Sequence, residues 1–140
     1  MAADDTMREA VVALNASAAF NRHVGFEVVS AGSGSAELRL PWRTDLGQYA
    51  GFLHAAMIAG MIDTACGFAA YTLVGNVLAS HVSVNCLATA AGDAFVARAR
   101  VVKSGRRLVF THAELFALKG RDERLVATGE AILVPMGAPA

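Results

Sequence analysis

Residues 51–74, GFLHAAMIAGMIDTACGFAAYTLV, form a long apolar run broken by one acid, Asp63, with one histidine, His54, near its start. Any fold adopted by this chain must bury that run and still accommodate the carboxylate. An ionised carboxylate taken out of water costs several kcal/mol unless something compensates it. The run is long enough to span a bilayer, but an acid at mid-span costs about 2.5–3.5 kcal/mol, and the flanks lack basic anchors. The segment therefore reads as a buried core helix over residues 54–74. Gly60 and Gly67 each cost that helix about 1 kcal/mol relative to alanine. Together with Ala55, Ala56, Ala59, Ala65, Ala69 and Ala70 they predict a slim helix that lies close to a sheet. The pair Gly75-Asn76 supplies its stop.

The flanking sequence supplies the sheet. Residues 4–20 place Met7, Ala10, Val11, Leu14 and Ala18 at helical spacing, with Asp4, Asp5 or Thr6 to cap the start, so an N-terminal helix is expected within residues 1–20. GFEVVSAGSGSAELRLPW reads as two strands around the turn Ala31-Gly32-Ser33-Gly34, ended by Pro41. Residues 42–50 form a polar and aromatic loop. After the long helix come four more strands. Residues 77–87 alternate Val82, Val84 and Cys86 against His81, Ser83 and Asn85, and residues 95–102 alternate alanines and valine against Arg98 and Arg100. Residues 107–118 and 125–134 follow, with turns at Lys103-Ser104-Gly105 and in KGRDER. Strands arranged around one buried helix imply an antiparallel sheet wrapped on it, an α+β layer architecture in a single domain over residues 1–140.

The 140 residues are 55% apolar, only 17% charged and without net charge. That is little polar surface for a monomer, and it points to a homo-oligomer, with no pull toward nucleic acid or a membrane. Cys66 and Cys86 lie in apolar segments and are expected as buried free thiols in a reducing compartment, hence a cytoplasmic protein. The acidic start has no basic region followed by an apolar run, so no signal peptide is read there. No metal-ligand spacing, phosphate loop, nucleotide fingerprint or nucleophile elbow is found. Neither metal nor cofactor is expected.

Chemistry concentrates at the long helix. Asp63 in a dry pocket is either a satisfied core acid or a base or nucleophile whose pKa desolvation raises. His54 and the amides of Ala55 and Ala56 mark the helix start, where unpaired N–H groups and the dipole stabilise an oxyanion. Histidine there serves more often as a structural hydrogen-bonder than as a catalyst. Ala55 and Asp63 are eight residues apart, about 12 Å along the axis and rotated by about 80°. One reacting carbon cannot touch both. His54 and Asp63 stand on nearly opposite faces and form no dyad. If both features serve one reaction, they come from two subunits, and a two-fold dimer with antiparallel long helices would pair them twice.

The pattern Gln48-x-x-Gly51-x-Leu53-His54-Ala55-Ala56, followed by Asp63-Thr64-Ala65-x-Gly67, resembles the signature of hot-dog-fold acyl-CoA thioesterases. The nearest subgroup is the phenylacetate-degradation (PaaI-like) type. The resemblance runs from Phe20 to about Val134 and includes LASHVSVNCLATA and KSGRRLVFTHAEL. It implies a hot-dog fold and hydrolysis of acyl-CoA by a dimer, or a tetramer of two dimers, with coenzyme A entering only as part of the substrate. Asp63 would activate water or attack the thioester. The Ala55 amide would hold the oxyanion, Gln48 would orient the reacting groups, and Ser80 would assist the water. Gly51 and Ala56 complete the motif around the substrate. Lys103, Arg106 and Arg107 would meet the nucleotide phosphates, or else form an ordinary charged hairpin. Ser83 and Asn85 would line the channel, or else face solvent.

Two departures stand out. Ala55 and Ala56 replace the family's paired glycines, and Gln48 replaces an asparagine. They keep open the alternative of a non-catalytic acyl-CoA or aromatic-ligand binder. A hydratase of the same fold would need a histidine about five residues beyond the acid, and position 68 is phenylalanine. Phe20, Phe26, Trp42, Tyr49, Phe52, Phe68 and Tyr71 either shape a pocket or belong to the core.

Overall fold

The structure, a computed structural model, describes residues 3–137. Two N-terminal helices, α1 (Ala3–Ser17) and α2 (Ala19–Val24), lead into strands β1 (Glu27–Gly32) and β2 (Ser35–Pro41). A short helical turn at Thr44–Leu46 precedes the long helix α3 (Ala55–Val74), and strands β3 (Val77–Cys86), β4 (Ala94–Ser104), β5 (Val109–Lys119) and β6 (Asp122–Pro135) complete the chain. The six strands form one antiparallel sheet in the order β1-β2-β4-β5-β6-β3, and α3 packs across it. This is the α+β arrangement that the alternation of residues implies, and the hot-dog fold that the resemblance implies.

Several boundaries move. The expected N-terminal helix breaks at Ala18, whose backbone is extended, so residues 19–24 form a separate turn closed by Gly25 at φ 86°. Residues 1 and 2 of that expected helix lie outside the described residues. The β4–β5 turn falls two residues later than the sequence implies. Lys103 and Ser104 remain in β4, and Gly105 closes the turn by donating to the Leu108 carbonyl at 2.9 Å. β5 then starts at Val109, and the following turn shrinks to Gly120-Arg121. The β1–β2 turn is tight. Ser33 and Gly34 both take positive φ (52° and 80°), which suits the twist of a two-residue hairpin.

The core lies between α3 and the sheet. Met61, Ile62, Ala65, Cys66, Ala69 and Ala70 of α3 are buried against Leu38, Phe95, Leu115, Val126 and Leu133. The closest approach comes from the sheet side. A Cβ on Gly129 of β6 would stand 2.6 Å from the Ser83 carbonyl oxygen and 2.7 Å from Ile62 Cγ2. The two helix glycines do the opposite of what the sequence implies. A Cβ on Gly60 or Gly67 would meet nothing within 4 Å, so both point away from the sheet, and the helix seats through its alanines.

The two sheet edges differ. On β1, Arg8 of α1 donates to the carbonyls of Val28 and Val29 at 3.2 and 3.0 Å and covers the edge. At the opposite edge, among the described residues, β3 pairs only with β6 and leaves Leu78 and Val82 exposed. A bare strand edge with apolar side chains is a surface made for pairing.

Candidate active site

Asp63 sits on α3 within a groove of about 310 Å³ whose walls include Leu14, Phe68, Tyr71, Leu78 and Leu133. The carboxylate is half-buried, and among the described residues it has no hydrogen bond and no salt bridge. Burial alone pushes its pKa up, with no cation nearby to hold it down. A satisfied structural acid would carry a partner. This one does not, and it faces open space.

The helix start occupies a second groove, of about 340 Å³, with Gln48, Phe52, His54, Ala55 and Cys86 among its walls. The loop before it is built on its own backbone. Gln48 donates its amide to the Phe52 carbonyl at 2.8 Å, and Gly51, at φ 86°, turns the chain back. The Leu53 and His54 amides donate to Ala90 and Leu46, anchoring the helix start on buried Leu46 and Leu53. His54 is the N-cap. Its Nδ1 accepts the Ala56 N–H at 2.9 Å and therefore carries no proton in this arrangement. The histidine thus caps the helix through Nδ1, and the Ala56 amide is already used. Among the described residues, the Ala55 N–H has no acceptor. It is the free donor at the positive end of a 20-residue helix.

Gln48 is committed to its own loop. Its carbonyl oxygen accepts from the Ala50 and Phe52 amides, so only its NH₂ end remains to meet a substrate. Ser80 lies at a bulge in β3, where the register with β6 shifts between Ala79 and His81, and its hydroxyl donates to the Ile132 carbonyl at 3.2 Å. Ser83 and Asn85 line neither groove. They pair with Glu130 and Thr128, whereas Gly129, opposite Val84, faces α3, so both polar side chains point to the outer face of the sheet. Lys103, Arg106 and Arg107 are exposed and, among the described residues, form no salt bridge. Their hairpin lies at the Asp63 end of the sheet, because Val109 pairs with Leu133.

Cys66 is buried, with its thiol pushed up to about 11 chiefly by desolvation, but Cys86 is exposed, contrary to the sequence expectation. Of the aromatic residues, Phe68 and Tyr71 border the acid's groove, and Tyr49 and Phe52 border the other. Phe20 packs edge-on against Phe26, and Trp42 against Phe95, in neither groove. Leu14 and Asn76 also line the Asp63 groove. Sequence reasoning missed them because Leu14 reads as an ordinary helix core position and Asn76 as a helix stop.

The two halves of the chemistry therefore stand apart on one chain, at opposite ends of β3. The Asp63 groove reaches Val77–Ala79, and the helix-start groove reaches Cys86. A half-buried acid lies in one apolar groove and a free helix-terminal amide in another, on a sheet wrapped around one helix in the hot-dog arrangement.

The family follows from the comparisons. The thioesterase superfamily model matches residues 50–123, more than half of the chain. A thioesterase family protein from Silicibacter pomeroyi is 34% identical, with 91% of this chain and 96% of that one covered at a TM-score of 0.87. The chain belongs to the thioesterase superfamily, whose general activity is hydrolysis of small-molecule thioesters. Escherichia coli PaaI, from the phenylacetic acid degradation operon, shares the fold at a TM-score of 0.86 and 18% identity, with 97% of each chain covered. Zebrafish thioesterase superfamily member 2 does so at 0.80 and 22%, with 96% of this chain and 99% of that one covered. No curated protein matches significantly.

Proposed function

We propose that this protein hydrolyses acyl-CoA thioesters, of the PaaI-like type, at sites shared between two subunits. The observation that carries this reading is Asp63: a carboxylate in an apolar groove, without a partner, its proton affinity raised by burial alone. Water adds to the thioester carbonyl while Asp63 takes its proton, or Asp63 itself attacks and water then cleaves the anhydride. The oxyanion collapses, the C–S bond breaks, and the CoA thiolate leaves to take up a proton. The products are the free acid and CoA. The developing oxyanion is held by the Ala55 amide of the second subunit.

The bare β3 edge supports this assembly. Antiparallel pairing centred near Val82 brings the Val77–Ala79 end of one strand beside the Cys86 end of the other. Each Asp63 groove then adjoins the neighbour's helix start. The NH₂ of Gln48 orients the carbonyl, the Ser80 hydroxyl holds the water, and Gly51 leaves the approach open. Lys103, Arg106 and Arg107 attract the nucleotide phosphates at the Asp63 end. The free thiols fit a reducing, cytoplasmic setting.

Complementation of two dead variants tests the shared site. Asp63→Ala and Ala55→Pro each lose turnover as homodimers. Mixed by refolding, they regain about a quarter of wild-type activity, because half the dimers are hybrids with one intact site each. No recovery from two folded, inactive variants sinks the shared site. One observation favours a second reading, binding of acyl-CoA without turnover: the Ala55 methyl lines the groove where the family has glycine. Calorimetric binding of acyl-CoA with no thiol release across a panel would establish that reading instead.

A further inference from the structure

We infer that Gly67 decides which acyl groups reach Asp63, and that the substrates are CoA thioesters whose acyl group is larger than acetyl and lies along α3 toward Tyr71. The inference rests on the hydrolase reading above. Gly67 is an unfavourable residue in the middle of a helix, and the packing of the protomer does not demand it, since a Cβ there would touch nothing within 4 Å. It does border the groove that holds Asp63 and Tyr71. Residues four apart stack along one helix face, about one turn from each other. Asp63, Gly67 and Tyr71 therefore follow one another down the groove, and any side chain at 67 would stand between the carboxylate and Tyr71, in a groove whose other walls include Phe68, Leu78 and Leu133. Asp63 alone would need no glycine beside it. A bulky acyl group passing over the helix backbone would. Gly60 gives the contrast. It is equally open, yet it lines neither groove.

Calorimetry with the non-hydrolysable thioethers S-hexyl-CoA and S-ethyl-CoA, alongside turnover of hexanoyl-CoA and acetyl-CoA, tests this in wild type, Gly67→Val, Gly67→Ala and Gly60→Ala. The expected result is that Gly67→Val lowers the hexyl-to-ethyl affinity ratio about tenfold or more, the size of a methylene-scale misfit, with Gly67→Ala between it and wild type. Gly60→Ala keeps the wild-type ratio. A ratio unmoved by Gly67→Val, or moved equally by Gly60→Ala, overturns the inference. So does a smaller species on size exclusion for Gly67→Ala, which would make Gly67 a spacer between subunits. If wild type binds the thioethers but cleaves nothing, the hydrolase reading falls, and the binding ratio still decides the role of Gly67.

Discussion

Ala55→Pro separates catalysis from folding more cleanly than any other change at this site. Proline removes one N–H and fixes φ near −65°, which suits the first residue of a helix. Ala55 holds that position, and its N–H has no acceptor among the described residues, so no hydrogen bond is lost from the protomer. Proline also forces the residue before it out of the helical region, and His54 already sits at φ −63° and ψ 140°. The fold is therefore expected to keep its melting temperature. The reaction is not expected to survive. Loss of one oxyanion donor costs about 2.7–4 kcal/mol, or about 10²–10³ in kcat. The assay is thiol release from the best acyl-CoA substrate, with thermal unfolding measured on the same sample. A stable Ala55→Pro protein whose kcat stays within about threefold of wild type would refute the amide's role, since a real donor is worth far more than that.

Asp63→Asn is expected to lower turnover about 10²–10⁴-fold, the range of a lost general base, and thiol release measures it. It should also stabilise the protein near neutral pH. Burial raises the folded pKa of Asp63, so its favourable state is the protonated one, and stability is lost as pH rises through that folded value. The Asn variant escapes the loss, and its advantage in melting temperature should vanish below about pH 4, where the unfolded carboxyl is protonated as well. Val82→Lys sets like charges together at the centre of the proposed edge pairing. It is expected to give a monomer in sedimentation and to abolish turnover; an active monomer would end the shared-site reading. Gly129→Val drives a side chain into the Ser83 carbonyl and Ile62, and should cost about 1–3 kcal/mol in chemical denaturation.

The fold was legible because its two periodicities do not overlap. The stretch 55–74 is too long and too continuously apolar to be a strand, and the alternation through β3–β6 is plain once its parity is followed. Details set by tertiary contact were hidden. The break at Ala18 has no proline or glycine to announce it, and the bulge at Ser80 shows in the sequence only as two adjacent polar residues, Ser80 and His81, before the alternation from Val82 onward. The site was half legible. Asp63 stands out as an acid in grease, and the helix start is marked by His54. The roles of the glycines were not legible, because a sequence shows that a side chain is missing but not what would fill its place. Gly60 and Gly67 looked like contact points with the sheet, whereas Gly129, in the middle of an ordinary strand pattern, is the true one. Leu14 and Asn76 join Asp63 only because α1 and the end of α3 converge on one groove.

The asymmetry of the two sheet margins governs how far association can go. Arg8 occupies the Val28 and Val29 carbonyls at one margin, so strand addition is favoured at the other. Two copies meeting at their open margins would present their Arg8-covered margins outward, which disfavours addition of a third by strand pairing.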